Sequence, residues 1–134
     1  MTNKQIVDKW QIIIDSKVFD DLETVESSEV ENINPSGIFK GIVAHKKMLE
    51  AFAVAFPDYI HDNFNFVEQG DWIAMEGIFS GIHSGPLMMG EQVLQATNNK
   101  IEFPYCGFIK VVDGKVIENR LYYDSKIFLT QLGI

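Results

Sequence analysis

The carboxylate of Asp124 stands where a strand-like run, "ENRLYY", gives way to a short amphipathic tail, "SKIFLTQLG". A carboxylate in that place has two possible jobs. It can act as a base that takes a proton from carbon next to a carbonyl. That job needs burial among aromatics, because a carboxylate pKa near ~4 makes a weak base in water and desolvation raises it. Tyr122, Tyr123, Phe103 and Tyr105 offer such surroundings. It also needs a donor for the oxygen that becomes an enolate, and Tyr105, Tyr122, His83 and Asn32 are the candidates. The other job is to cap the tail helix, since Asp is among the best N-cap residues. Ser125 can cap instead and leave Asp124 free, so both readings stay open.

Other residues join by parity and spacing. Glu118, Arg120, Tyr122 and Asp124 alternate along one strand and share a face. Arg120 is then a candidate for binding an anionic substrate. Glu118, Arg120 and Asp124 also have the residue types that an epoxide-type hydrolase uses to hold one water. Which residues of "IEFPYCGFIK" oppose them depends on the Asp113-Gly114 turn. A two-residue loop pairs Asp124 with Phe103. A three-residue loop with a bulge brings Cys106 and Phe108 inward, and this form is slightly preferred, since Gly follows Asp. His83 ends a strand, and a surface or hydrogen-bonded histidine is the ordinary reading there. His45, beside two lysines, reads as exposed. His61 with Asp62 reads as a local polar pair, and Glu76 as an exposed strand residue. The three histidines have no metal-ligand spacing. Cys106, the only cysteine, lies in an apolar run with no adjacent base and reads as a buried inert thiol.

The elements that must position these groups follow from periodicity. Thr2 and Gln5 have capping-box spacing ahead of a helix that runs to about residue 16, and a second short helix runs to about Glu23. "SEVENI" reads as a short strand and "NPSG" as a turn. "GIVAHKKMLEAFAVAF" puts His45, Met48, Leu49, Phe52, Ala53 and Phe56 on one stripe, and Pro57 ends it. Phe56 is counted with Phe103 among the substrate-binding residues. Two hairpins follow, turning at Gly70-Asp71 and Asp113-Gly114. Ser84 to Lys100 reads as a loop with a helical turn, and a last helix runs from Ser125 to about Leu132. Helices first and antiparallel hairpins after give α+β: a curved sheet wrapped against helices, with room for a pocket between them.

Composition narrows the function classes. The 134 residues suit one domain, and their formal charge of −8 disfavours nucleic acid as a partner. The run "DDLETVESSEVE" reads as a solvated acidic face. One cysteine excludes an internal disulfide. No apolar run approaches a membrane span, and the first residues lack the apolar stretch of a signal peptide, so a cytoplasmic protein is expected.

Three stretches then coincide in order and spacing: "AFPDY" after the long helix, "FSGIHSGPL" ending a strand, and "DGKVIENRLYYDSKIFLTQLG" at the end. Together they resemble the SnoaL-like polyketide cyclases of the nuclear transport factor 2-like superfamily, over nearly the whole chain. The superfamily hosts cyclases, isomerases, hydrolases and members without known activity, so fold alone does not choose among them. The resemblance implies a conical α+β barrel with a deep apolar pocket, a homodimer formed through the sheet, and a small-molecule substrate. It implies intramolecular aldol-type cyclisation without metal or cofactor. By motif position, Asp124 matches the family's catalytic aspartate and His83 the histidine of its G-T-H-x-G-P pattern, with Ile82 in place of Thr. Ile33 stands where many members carry a histidine in an H-x-P pattern. A non-catalytic binding protein with the same pocket is the alternative.

Overall fold

The computed structural model describes all 134 residues. Helix α1 (Asn3–Ser16) starts on the expected capping box: Thr2 Oγ1 accepts from the Gln5 amide at 3.1 Å, and Gln5 Oε1 accepts from the Thr2 amide at 2.8 Å. Its buried face carries Ile6, Val7, Trp10, Ile13 and Ile14. A 3-10 helix (Phe19–Thr24) leads into β1 (Glu26–Asn34), and the "NPSG" turn returns the chain as β2 (Gly37–Lys40), a strand the sequence did not announce. Helix α2 (Ile42–Ala55) ends before Pro57, as expected. Strands β3 (Ile60–Gln69) and β4 (Trp72–Ile82) form one hairpin. Next, β5 (Leu87–Met89) and β6 (Gln92–Leu94) make a small hairpin of their own. The helical turn expected there is absent, because Gly90 at φ +64° makes a tight reversal instead. Strands β7 (Lys100–Val112) and β8 (Lys115–Tyr123) form the last hairpin, and helix α3 (Ser125–Gln131) closes the chain.

The main sheet has the order β2-β1-β8-β7-β4-β3. Its neighbours run antiparallel except β1 and β8, which are parallel and not a hairpin product. Strand β7 alternates between buried and exposed along most of its length. Its inward residues, Ile101, Phe103, Tyr105, Ile109 and Val111, meet Ile73, Met75 and Phe79 of β4 under the helices. Each such side chain, once buried, is worth roughly 2 kcal/mol against exposure.

The Asp113-Gly114 turn combines both forms expected of it. Asp113 (φ +51°) and Gly114 (φ +75°) make a two-residue hairpin turn with both central residues left-handed. A register shift then falls between Lys110 and Val111. Cys106 pairs with Tyr122 and Phe108 with Arg120, as the bulged form requires. That shared face, however, is the outer one. Phe108 is 44% exposed, Tyr122 46%, and Cys106 is exposed, not buried.

Two polar readings are overturned in the core. Glu26, from the acidic run expected to be solvated, is buried, and so is His45. The Glu26 carboxylate accepts from Trp10 Nε1 at 2.9 Å and faces His45 Nδ1 at 2.8 Å. It thereby ties α1, α2 and β1 together. The neighbouring Lys46 turns away from the core and pairs with Glu23 at 2.9 Å, since helical geometry sends adjacent residues in different directions.

Candidate active site

Strand register builds one wall of a cavity between the sheet and α2. Asn63, Gly77, Tyr105 and Tyr123 form one cross-strand row over β3, β4, β7 and β8; His61, Phe79 and Phe103 form the next. Gly77 is what lets the rows close up. A Cβ there would lie 2.6 Å from the Tyr105 ring carbon and hydroxyl oxygen. Without one, Tyr105 lies across the strand and reaches Asn63. Met48, Leu49 and Phe52 of α2 form the opposite wall, and Leu121, Tyr59 and Asn34 complete a cavity of about 90 Å³. Nine of its eleven lining residues are hydrophobic, so a bound ligand is largely desolvated and any polar contact there is strong.

The imidazole in that wall is His61. Its Nδ1 lies 2.6 Å from Asp15 Oδ1, and its backbone amide donates to Asp15 Oδ2 at 3.1 Å. An ionised carboxylate only accepts, so Asp15 draws the Nδ1–H, and in the neutral imidazole Nε2 then holds the lone pair. Nε2 makes no hydrogen bond within the protein. The Tyr59 and Phe79 rings pack edge-on at 5.5 and 5.2 Å and fix the imidazole plane. His61 also borders a second, open groove on the α1 side, where Asp15 and Asn63 meet solvent.

Three tyrosines line the cavity, and burial raises the pKa of each. All three therefore stay protonated near neutral pH, but they spend their protons differently. Tyr59 donates to the Ile14 carbonyl at 2.7 Å. Tyr105 donates to Asn63 Oδ1. At Tyr123 a hydrogen bond with the Ser36 side chain opposes the rise. The cavity wall thus carries one imidazole, His61, and one phenol, Tyr123, whose partner is the Ser36 side chain.

Residues 4–132 match the family described as SnoaL-like polyketide cyclase. The chain belongs to that family. Solved structures agree on the SnoaL-like fold. A candidate SnoaL-like polyketide cyclase from Jannaschia sp. CCS1 superposes with TM-score 0.86 at 18% identity, covering 97% of this chain and 90% of that one. IdmH, a candidate polyketide cyclase from Streptomyces antibioticus, gives 0.83 at 17% identity over 100% of both chains. AclR, a candidate hydroxylase from Streptomyces galilaeus, gives 0.82 at 19%, covering 98% and 95%. At these identities the likeness carries the fold, not the chemistry. No curated protein matches the chain in sequence. No helix is long and apolar enough to cross a membrane.

Within this SnoaL-like frame, most residues singled out by motif lie elsewhere. Asp124 is exposed and caps α3, accepting from the Lys126 amide at 2.9 Å. Ser125 does not take the cap: it is the first helical residue. Arg120 and Tyr122 lie on the outer face, where Arg120 holds Glu118 at 2.7 Å. Arg120, Glu118 and Asp124 therefore do not converge on the cavity as a water-holding triad. Asn32 is buried on β1, accepting from Asn119 at 3.2 Å, and does not line the cavity. Phe56 is wholly buried and packs on His83 with ring centroids 5.5 Å apart. Phe103 and Tyr105 do line the cavity.

His83 has a different task. Its Nδ1 accepts from the Thr97 amide at 3.2 Å and meets the Thr97 hydroxyl at 2.9 Å. Next to it, the Ser84 and Gly85 amides both donate to the Ala55 carbonyl at 3.1 Å, closing the end of α2. A Cβ at Gly85 would collide with the Val54 carbonyl. The "HSGP" stretch is thus a clasp on the helix end. Burial lowers the pKa of His83, against the pull of the Gly85 backbone. The residues that sequence reading misses are His61 itself, read as a local polar pair, its partner Asp15, and the lining residues Asn34, Tyr59, Phe79 and Leu121. Sequence pairs His61 with its neighbour Asp62, since nothing local links position 15 to position 61.

Proposed function

We propose that this protein is a cyclase- or isomerase-type enzyme that removes a proton beside the carbonyl of a small, mostly apolar ketone or ester. The observation that carries this reading is the Asp15–His61 dyad, whose imidazole lines an apolar cavity. His61 Nε2 takes the proton from carbon. The electron pair of the broken C–H bond passes to the carbonyl oxygen, giving an enolate. Asp15 stabilises the imidazolium that forms, and Tyr123 donates to the enolate oxygen. The enolate carbon then attacks a second carbonyl in the same substrate, closing a ring as that carbonyl's π pair moves to its oxygen, which takes the proton from the His61 imidazolium; or the enolate takes that proton back at another carbon. The chain supplies base, donor and apolar walls for this from its own residues.

Deuterium exchange at the α-carbons of cyclopentanone in D2O, followed by NMR, tests the step with a probe of suitable size. The wild type accelerates exchange, and His61→Gln slows it by about 100-fold or more. Exchange at the wild-type rate by folded His61→Gln would sink the base assignment. A second reading, a non-catalytic small-molecule carrier, is favoured by the nearly all-apolar lining. It predicts binding of cyclopentanone with no exchange at all.

A second copy of the chain is the proposed partner, docking on the outer sheet face. Phe108 and Tyr122 stack edge-on there at 6.3 Å, beside the paired charges of Arg120 and Glu118.

A further inference from the structure

The polar side chains behind His61 form one directed chain. Asp15 Oδ1 accepts from Gln11 Nε2 at 3.3 Å. Gln11 Oε1 accepts from Asn63 Nδ2 at 2.9 Å. Asn63 Oδ1 accepts from the Tyr105 hydroxyl. The direction is not arbitrary. An ionised carboxylate has no proton to give, so Asp15 turns the Gln11 amide nitrogen toward itself. That turns the Gln11 carbonyl toward Asn63, which turns the Asn63 carbonyl toward Tyr105. The phenol has one proton, and the chain claims it. Tyr105 lines the cavity, and its hydroxyl oxygen, with its proton committed, has only lone pairs left to offer.

We propose that Gln11 and Asn63 are positioning residues that make Tyr105 a hydrogen-bond acceptor, so that the site selects a ketone carrying a neighbouring hydroxyl. The hydroxyl donates to Tyr105, and the carbonyl accepts from Tyr123. A substrate without the hydroxyl leaves a desolvated lone pair unpaired, which is costly in an apolar cavity. This rests on the proposed function for its carbonyl half, while the selection for a donor stands on the Gln11–Asn63 link alone. The link also joins the two ends of the site. Gln11 and Asp15 lie one turn apart on α1, and His61 and Asn63 share one face of β3, so the docking of α1 on β3 sets both the base and the acceptor.

The test compares two small ring compounds of nearly equal size: cyclopentanol, which donates, and cyclopentanone, which only accepts. Dissociation constants come from NMR titration of the wild type, Asn63→Leu, Asn63→Asp, Tyr105→Phe and His61→Gln. The wild type binds cyclopentanol about tenfold more tightly. Asn63→Leu removes the acceptor behind Tyr105, frees its proton toward the cavity, and brings the ratio near one. Asn63→Asp still accepts from Tyr105 and keeps the preference. Tyr105→Phe abolishes it. If Asn63→Leu does not fold, Gln11→Met serves: Asn63 stays but its amide is free to turn, and the ratio falls severalfold.

Equal binding of both compounds by the wild type overturns the proposal, as does failure of cyclopentanol to bind. So does an unchanged ratio in folded Asn63→Leu or Gln11→Met. A preference that survives Tyr105→Phe but vanishes in His61→Gln places the hydroxyl on His61. The selection by Tyr105 then fails while the base assignment stands. Wild-type α-exchange by His61→Gln, with the binding ratio intact, has the opposite meaning: the base assignment fails and the selection by Tyr105 stands.

Discussion

Asp124 is a cap because a helix begins directly after it. Its carboxylate reaches the Lys126 amide at 2.9 Å, and that amide is one of the unpaired donors at the start of α3. Asp124→Ala therefore loses about 1 kcal/mol of stability, read from a urea midpoint. Asp124→Asn caps as well as aspartate and keeps both stability and α-proton exchange. Slow exchange in a stable Asp124→Asn protein would return the base to this position. The same local chemistry explains the tyrosines. Tyr122 and Tyr123 are adjacent, so strand alternation must send them to opposite faces. Only Tyr123 reaches the cavity.

At the scale of elements, the "HSGP" clasp holds the end of α2 against the strand that carries it. The Ser84 and Gly85 amides close the helix, and Gly85 leaves no room for a side chain. Its buried histidine gives the clasp a pH dependence. Burial keeps the folded imidazole neutral below its ordinary pKa of 6.5, while the unfolded chain takes up a proton there. The unfolded state then binds more protons as pH falls, and stability falls with it. Between about pH 7.5 and about pH 5.5, the wild type loses stability relative to His83→Gln in urea titrations. Parallel stability–pH curves would show that His83 is not the group responsible. His83 does not line the cavity, so the proposed exchange should depend on it only through the clasp.

Over the whole molecule, the helices cover one face of the sheet and leave the other bare. The core pins the covered face through Glu26, which bonds Trp10 of α1 and stands against His45 of α2 from β1. Loss of that carboxylate would strand a buried indole N–H. The bare face carries the exposed rings of Phe108 and Tyr122, which a second copy would cover. Sedimentation of the wild type should give a dimer and Phe108→Glu a monomer, since a buried unpaired carboxylate opposes the contact. A monomeric wild type at micromolar concentration would rule out the second copy as partner.

Much of the fold is legible in the sequence because it is locally encoded. The Thr2–Gln5 box, the stripe of α2 and the Asp113-Gly114 turn each follow from neighbours within a few residues. The family motifs then imply the conical α+β barrel around them. The site is less legible. Sequence places Phe103 and Tyr105 correctly at the cavity, but puts Arg120 and Tyr122 there too. A single bulge near Lys110 decides which residues of β7 oppose which of β8, and helix packing decides which face is inside. His61 shows the deeper limit. Its partner Asp15 lies 46 residues away, on a helix that meets β3 only after the sheet has curved. The sequence by itself determined most of the elements, the α+β class and the family. Tertiary structure alone decided which carboxylate caps and which one holds the cavity histidine, because that depends on contacts between segments no local rule connects.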